Sequence, residues 1–393
     1  MVFLTDLRKH NRIVKSINQT EGYLTTQVAF SYFEKGDQSL TMSEKSQWGS
    51  KLGFILASAG SVIGLGSVWK FPYMTAANGG GGFLLIFLIS TILIGFPLLL
   101  AEFALGRSAG VSAIKTFGKL GKNNKYNFIG WIGAFALFIL LSFYSVIGGW
   151  ILVYLGIEFG KLFQLGGTGD YAQLFTSIIS NPAIALVAQA AFILLNIFIV
   201  SRGVQKGIER ASKVMMPLLF IVLPQLFNKM PFGTIFYVLF LFATVTSSVV
   251  MLEINVGNIT NQDNSKRAKW SVILGILTFV FGIPSALSYG VMADVHIFGK
   301  TFFDAMDFLV SNLLMPFGAL YLSLFTGYIF KKALAMEELH LDERAWKQGL
   351  FQVWLFLLRF FVSSFQSSSW SSSPNLCNQK DLSNELRPFL FYG

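Results

Sequence analysis

Residues 60–73 read GSVIGLGSVWKFPY. Gly60, Ser61, Gly64, Gly66 and Ser67 are weak helix formers in the middle of an apolar stretch. Inside a bilayer every backbone polar group needs a partner, so irregular backbone survives only where it lines a cavity. A helix that unwinds there leaves carbonyls at one half-helix end, which suit Na⁺, and amides at the other, which suit a carboxylate. Close packing of helices through small residues is the competing use of the same residues. Lys70 adds a charge within the stretch, and an intramembrane ion marks a functional position by default.

Other chemistries have little to build on. The single cysteine, Cys377, cannot form an intrachain disulfide, and His10, His296 and His340 are far apart with no motif around them. Neither a metal cluster nor a nucleophile with its base is in view, so an enzyme is not expected. GLGSVW is no dinucleotide fingerprint, because GxGxxG would need glycine at Trp69.

The elements that must position these residues are membrane helices. Charged residues make up 13% of the chain, about half of the roughly 25% usual in soluble domains. Apolar runs near the ~20 residues needed to cross a bilayer recur along it. They predict an all-α, polytopic membrane protein with spans at about 52–75, 83–104, 129–158, 183–200, 208–223, 232–255, 269–292, 302–330 and 346–362.

The net charge of +10 is spread over alternate loops and forms no nucleic-acid surface. Lys45 and Lys51 precede the first span. Arg107, Lys115, Lys119, Lys122 and Lys125 lie between the second and third, and Arg202, Lys206, Arg210 and Lys213 around the fourth-to-fifth connection. Lys266, Arg267 and Lys269 fall between the sixth and seventh, and Lys331 and Lys332 after the eighth. The alternate loops are poorer, with Glu158, Lys161 and Asp170 in one and Lys229 alone in another. The positive-inside rule then predicts a cytoplasmic N-terminus. Residues 1–44 read as a polar N-terminal extension, with Met42 as a natural start and the 41 residues before it as upstream sequence, and the Ser-rich residues 363–393 as a polar, out-of-frame tail.

Several stretches resemble the neurotransmitter:sodium symporter family, bacterial branch. They are WGSKLGFILASAGSVIGLGSVWKFPYMTAANGGGGFLLIF, GFPLLLAEFALGR, LLSFYSVIGGW, SRGVQKGIERASKVMMPLLF, LPQLFNKMPFG, FATVTSSVVMLE and FFDAMDF. The resemblance covers about residues 45–360. It implies an inverted-repeat, leucine-transporter-like fold with a broken first helix, and sodium-coupled symport of a small organic solute.

One family sodium site matches the carbonyls of Gly60 and Ile63 with Ala243, Thr246 and Ser247. The last three stand at i, i+3 and i+4, one helical face, although hydroxyls there can also bond their own preceding carbonyls. Of a second sodium site only Val62 and Ser67 have matches. For substrate, the resemblance implies Ser61, Gly64, the amides of Leu65 and Gly66, and the hydroxyl of Tyr144, with Leu140 and Met251 as side-chain pocket positions. Gly64 stands where amine-transporting relatives carry an aspartate, which leaves room for a substrate's own carboxylate and favours an amino acid. Lys70 and Asp307 match an outer ion-pair gate, with Asp304 nearby. Lys45 matches the inner gate, where Asn261 replaces the usual acid.

The resemblance jumps between Val222 and Pro224: MMPLLFIVL matches the fifth family span and LPQLFNKMPFG the loop before the eighth. Residues 45–223 therefore read as the first repeat region and 224–362 as an incomplete second one, without the sixth and seventh spans. Two function readings follow: a sodium-coupled amino-acid symporter, or a transport-inactive membrane remnant of one.

Overall fold

The computed structural model describes residues 50–64, 66–162, 171–215, 232–261, 263–341 and 345–362. Residues 1–44 and 363–393, Lys45, Leu65, the 222–224 junction and the second half of the fifth expected span lie outside them.

Ser50 starts the first helix, α1 (Lys51–Val62), by accepting a hydrogen bond from the Gly53 amide. A π-helical turn (Gly66–Lys70) and α2 (Phe71–Ala77) follow, with Pro72 in the first turn of α2, where its missing N–H costs nothing. Next come α3 (Gly81–Ser90) and α4 (Phe96–Ala109), the latter closed by Gly110 at φ 58°, a left-handed cap that glycine adopts freely. The loop expected after the second span contains a short helix, α5 (Ala113–Gly121), that buries Ile114 and Phe117. The long α6 (Asn127–Leu162), then α7 (Tyr171–Ser180) and α8 (Pro182–Ser201), complete this part.

After residues 204–215 the described chain resumes with α9 (Phe232–Thr260) and α10 (Asn264–Leu287). Asp263 caps α10 by accepting from the Ser265 amide, and bonds from Ser265 hold its carboxyl below the ordinary aspartate value. The cap starts this helix earlier than the expected 269. Lys266, Arg267 and Lys269 therefore stand in its first turns rather than in a loop. A two-residue antiparallel pairing, His296 with Thr301 and Ile297 with Lys300, leads to α11 (Phe302–Phe308). Then come α12 (Met315–Leu324), α13 (Lys332–Glu338) and α14 (Ala345–Phe356).

Among the described residues six helical stretches are long and apolar enough to cross a membrane: Gly81–Ala109, Asn124–Gly160, Pro182–Ser201, Phe236–Thr260, Asn264–Leu287 and Phe302–Ile329. They correspond to the expected second, third, fourth, sixth, seventh and eighth spans. The first expected span is split at the glycines. The core gathers on α6. Gly149 lets its backbone approach that of Ala188 and Gln189 on α8, as small residues do in membrane helix pairs. Tyr154 stacks on Tyr237 of α9 with centroids 5.2 Å apart, and Trp150 stacks on Phe303 of α11.

Candidate functional site

The break in the first span is defined by where its amides go. In an unbroken helix the Gly64 amide would bond to the Gly60 carbonyl and the Ser67 amide to that of Ile63. Instead Gly64 N–H bonds to Val62 O at 3.0 Å, and Ser67 N–H bonds to Gly64 O at 3.1 Å. Gly60 and Ile63 thus lose the donors that helix geometry would give their carbonyls. Ser61 belongs to the last turn of α1.

Across from the break stands α9. Ala243, Thr246 and Ser247 are buried on it, and the Ser247 hydroxyl reaches the Gly60 carbonyl at 3.4 Å. The Thr246 hydroxyl donates backwards to Phe242 O at 2.9 Å and Ala243 O at 3.1 Å. A hydroxyl whose proton points back along its helix keeps lone pairs for a cation in front. Neutral carbonyl and hydroxyl oxygens are the donors a hard monovalent cation takes.

Gly64 sits in a tight spot. A Cβ there would press on the Ser247 hydroxyl and lie 3.1 Å from the Tyr144 hydroxyl. An aspartate has no room in this conformation. Tyr144 is buried on α6, and Leu140 and Met251 pack partly buried against the same aromatic cluster. The other flank is open: a Cβ on Gly66 meets nothing within 4 Å, and Val62 is 72% exposed. The exposed Ser67 hydroxyl donates to Val62 O at 2.9 Å, so the two matches of the second sodium site do meet.

Lys70 forms an ion pair with Asp307 at 3.3 Å, joining the broken helix to α11. Asp304 faces elsewhere: it accepts from the hydroxyls of Thr301 at 2.7 Å and Tyr289 at 3.4 Å. Asn261 closes α9 at φ 53°, a left-handed position asparagine tolerates, which accounts for an amide there.

Two buried polar contacts were not anticipated. Arg267 is 2% exposed and pairs with Glu253 of α9. Glu209, also buried, holds Lys213 at 2.6 Å and the Ser50 hydroxyl at 2.7 Å, tying the start of α1 to residues 204–215. An acid inside a predicted span, as Glu253 is, was the available signal.

Residues 45–165 match the model of the Sodium:neurotransmitter symporter family. The chain is 38% identical over 436 positions to the uncharacterized sodium-dependent transporter YhdH of Bacillus subtilis, a match covering 82% of this chain and 96% of that one. An uncharacterized sodium-dependent transporter of Haemophilus influenzae is 32% identical over 196 positions, covering 46% of this chain and 42% of its own. The crystal structure of MhsT in complex with L-phenylalanine superposes with a TM-score of 0.75 at 28% identity, covering 84% of this chain and 100% of that one. Because 82% of 393 residues is about 322, about 114 of the 436 positions aligned with YhdH face no residue of this chain. That length suffices for two membrane crossings of about 20 residues each, with their loops. The broken first span, its polar contact with α9 and near end-to-end likeness to YhdH lead to one conclusion: this helical membrane protein belongs to the sodium:neurotransmitter symporter family, whose members are transporters and not enzymes.

Proposed function

We propose that the chain binds Na⁺ between the Gly60 and Ile63 carbonyls and Ala243, Thr246 and Ser247, next to a site for a small amino acid. The substrate carboxylate would take the amides of Leu65 and Gly66 and the Tyr144 hydroxyl. Its side chain would lie towards Leu140 and Met251. One observation carries this reading. The two carbonyls deprived of their helical donors belong to the segment that the Ser247 hydroxyl reaches. Lys70 and Asp307 act as the outer gate, and Lys45 as the basic half of the inner one. Val62 and Ser67 are what this chain retains of a second sodium site. The setting is the plasma membrane with a cytoplasmic N-terminus.

A second reading concerns what such a chain accomplishes. Residues 45–223 form the first repeat region and 224–362 an incomplete second one, flanked by 1–44 and 363–393. Alternating access in inverted-repeat transporters rocks two repeats about a midplane site between broken helices. The exposure of Val62 and the open space at Gly66 support the reading of a site lacking one wall. Binding is therefore expected without coupled transport.

Purified full-length chain should gain thermal stability from NaCl relative to choline chloride, and T246A/S247A should lose that gain. An undiminished gain in the double variant would place the ion elsewhere. In liposomes neither protein should accumulate amino acids under a sodium gradient, whereas insertion of YhdH's unmatched segment after Val222 should restore uptake. Accumulation by the unmodified chain would refute the second reading and leave the first intact.

A further inference from the structure

The membrane end formed by residues 107–127 carries a feature the transport reading does not use. Lys115 and Lys119 stand one turn apart on α5, both exposed, while Ile114 and Phe117 of the same helix are buried. With Val111, Asn124 and Asn127 the two lysines line a cavity of about 410 Å³. Lys119 is held in place by a 2.9 Å bond from its ammonium to Ala109 O, and Asn127 by accepting from the Gly118 amide at 2.8 Å. No aspartate or glutamate occurs between Glu102 and Glu158, so nothing acidic from this segment offsets the positive charge.

Asn127, which lines the cavity, lies on a face of α6 that continues along the helix. Asn127, Trp131 and Phe135 are spaced i, i+4 and i+8 on α6 and so share one face. Trp131 is 59% exposed and Phe135 54%. At 1.5 Å per residue they lie about 6 and 12 Å beyond Asn127 along the helix. Tryptophan at this depth is typical of the membrane–water interface. We infer that this is a binding site for an anionic phospholipid, its phosphate headgroup in the Lys115–Lys119 cavity and an acyl chain along Trp131 and Phe135. A zwitterionic headgroup fits less well, because among the described residues no carboxylate lines the cavity to receive its ammonium.

The test uses full-length protein in detergent, without a sodium gradient, so its outcome is separate from that of the transport reading. Dioctanoyl phosphatidylglycerol is titrated and binding read by native mass spectrometry. Dioctanoyl phosphatidylcholine should bind far less, and inorganic phosphate should not compete. Lys115→Gln and Lys119→Gln should each weaken binding about fivefold, equivalent to about 1 kcal/mol for a lysine near the surface. Trp131→Ala should weaken it too, and K331Q/K332Q should leave it unchanged. Lys115 does not share the Ala109 bond, so Lys115→Gln keeps the test valid if Lys119→Gln fails to fold. Equal losses in the Lys331–Lys332 variant, or displacement by inorganic phosphate at lipid-like concentrations, would overturn the site.

Discussion

Gly64 and Gly66 stand two residues apart in the break, and a methyl group at each meets different surroundings. At Gly64 it presses on the Ser247 hydroxyl and lies 3.1 Å from that of Tyr144; at Gly66 it meets nothing within 4 Å. Overpacking of this kind costs about 1–3 kcal/mol. Gly64→Ala should therefore lower the melting temperature and remove the sodium-dependent gain, and Gly66→Ala should do neither. Equal behaviour of the two would mean that the break is not packed against α9 as described. The glycines themselves were legible in the sequence, because weak helix formers in an apolar run are an anomaly. Which carbonyls lose their donors was not, since that depends on the Gly64 and Ser67 amides turning to Val62 and Gly64. The resemblance pairs Lys70 with Asp307, but residue type and spacing by themselves leave Asp304 equally available. The pattern Thr301-x-x-Asp304 is a capping signature, and reading it would have assigned Asp304 to the start of α11 and left Asp307 for the lysine.

At the scale of elements, α9 and α10 are joined where one charge meets another out of water. Arg267 is almost wholly buried against Glu253, and its Nε also bonds to Asn264 Oδ1 at 3.2 Å. Removing one partner of a buried pair typically costs about 3–5 kcal/mol, because the other charge stays buried alone, whereas replacing both by apolar residues is often neutral. Arg267→Met should lower thermal stability sharply in detergent, and the further change Glu253→Leu should recover most of the loss. Failure to recover would show that Arg267 stabilises through its other contacts. The half-exposed Lys70–Asp307 pair should contribute only about 0–1 kcal/mol. Most crossing helices could be read from apolar run lengths, since length and composition are local. The start of α10 and the presence of α5 were missed because a cap at Asp263 and a nine-residue amphipathic turn act beneath a hydropathy window.

For the whole molecule, sidedness is the property that every loop helps to set. The basic residues of 107–125, 202–213, 266–269 and 331–332 should face the cytoplasm, and Lys229 the outside. In a Cys377→Ser background, K229C should react with an impermeant maleimide on intact cells and K266C only after permeabilisation. The reverse pattern would invert the assignment. The break itself bears on water at this scale. Carbonyls that lose their helical donors draw water at membrane depth, and the Ser247 hydroxyl meets Gly60 O only at 3.4 Å, so the break admits solvent more readily when no cation bridges Gly60 and Ile63. Filling it is then a closure against solvent exchange as much as a binding event. Peptides spanning residues 60–67 should take up deuterium more slowly in NaCl than in choline chloride, with equal uptake in both salts arguing against any such closure. A sodium ion would thus mend the helix that glycine had opened.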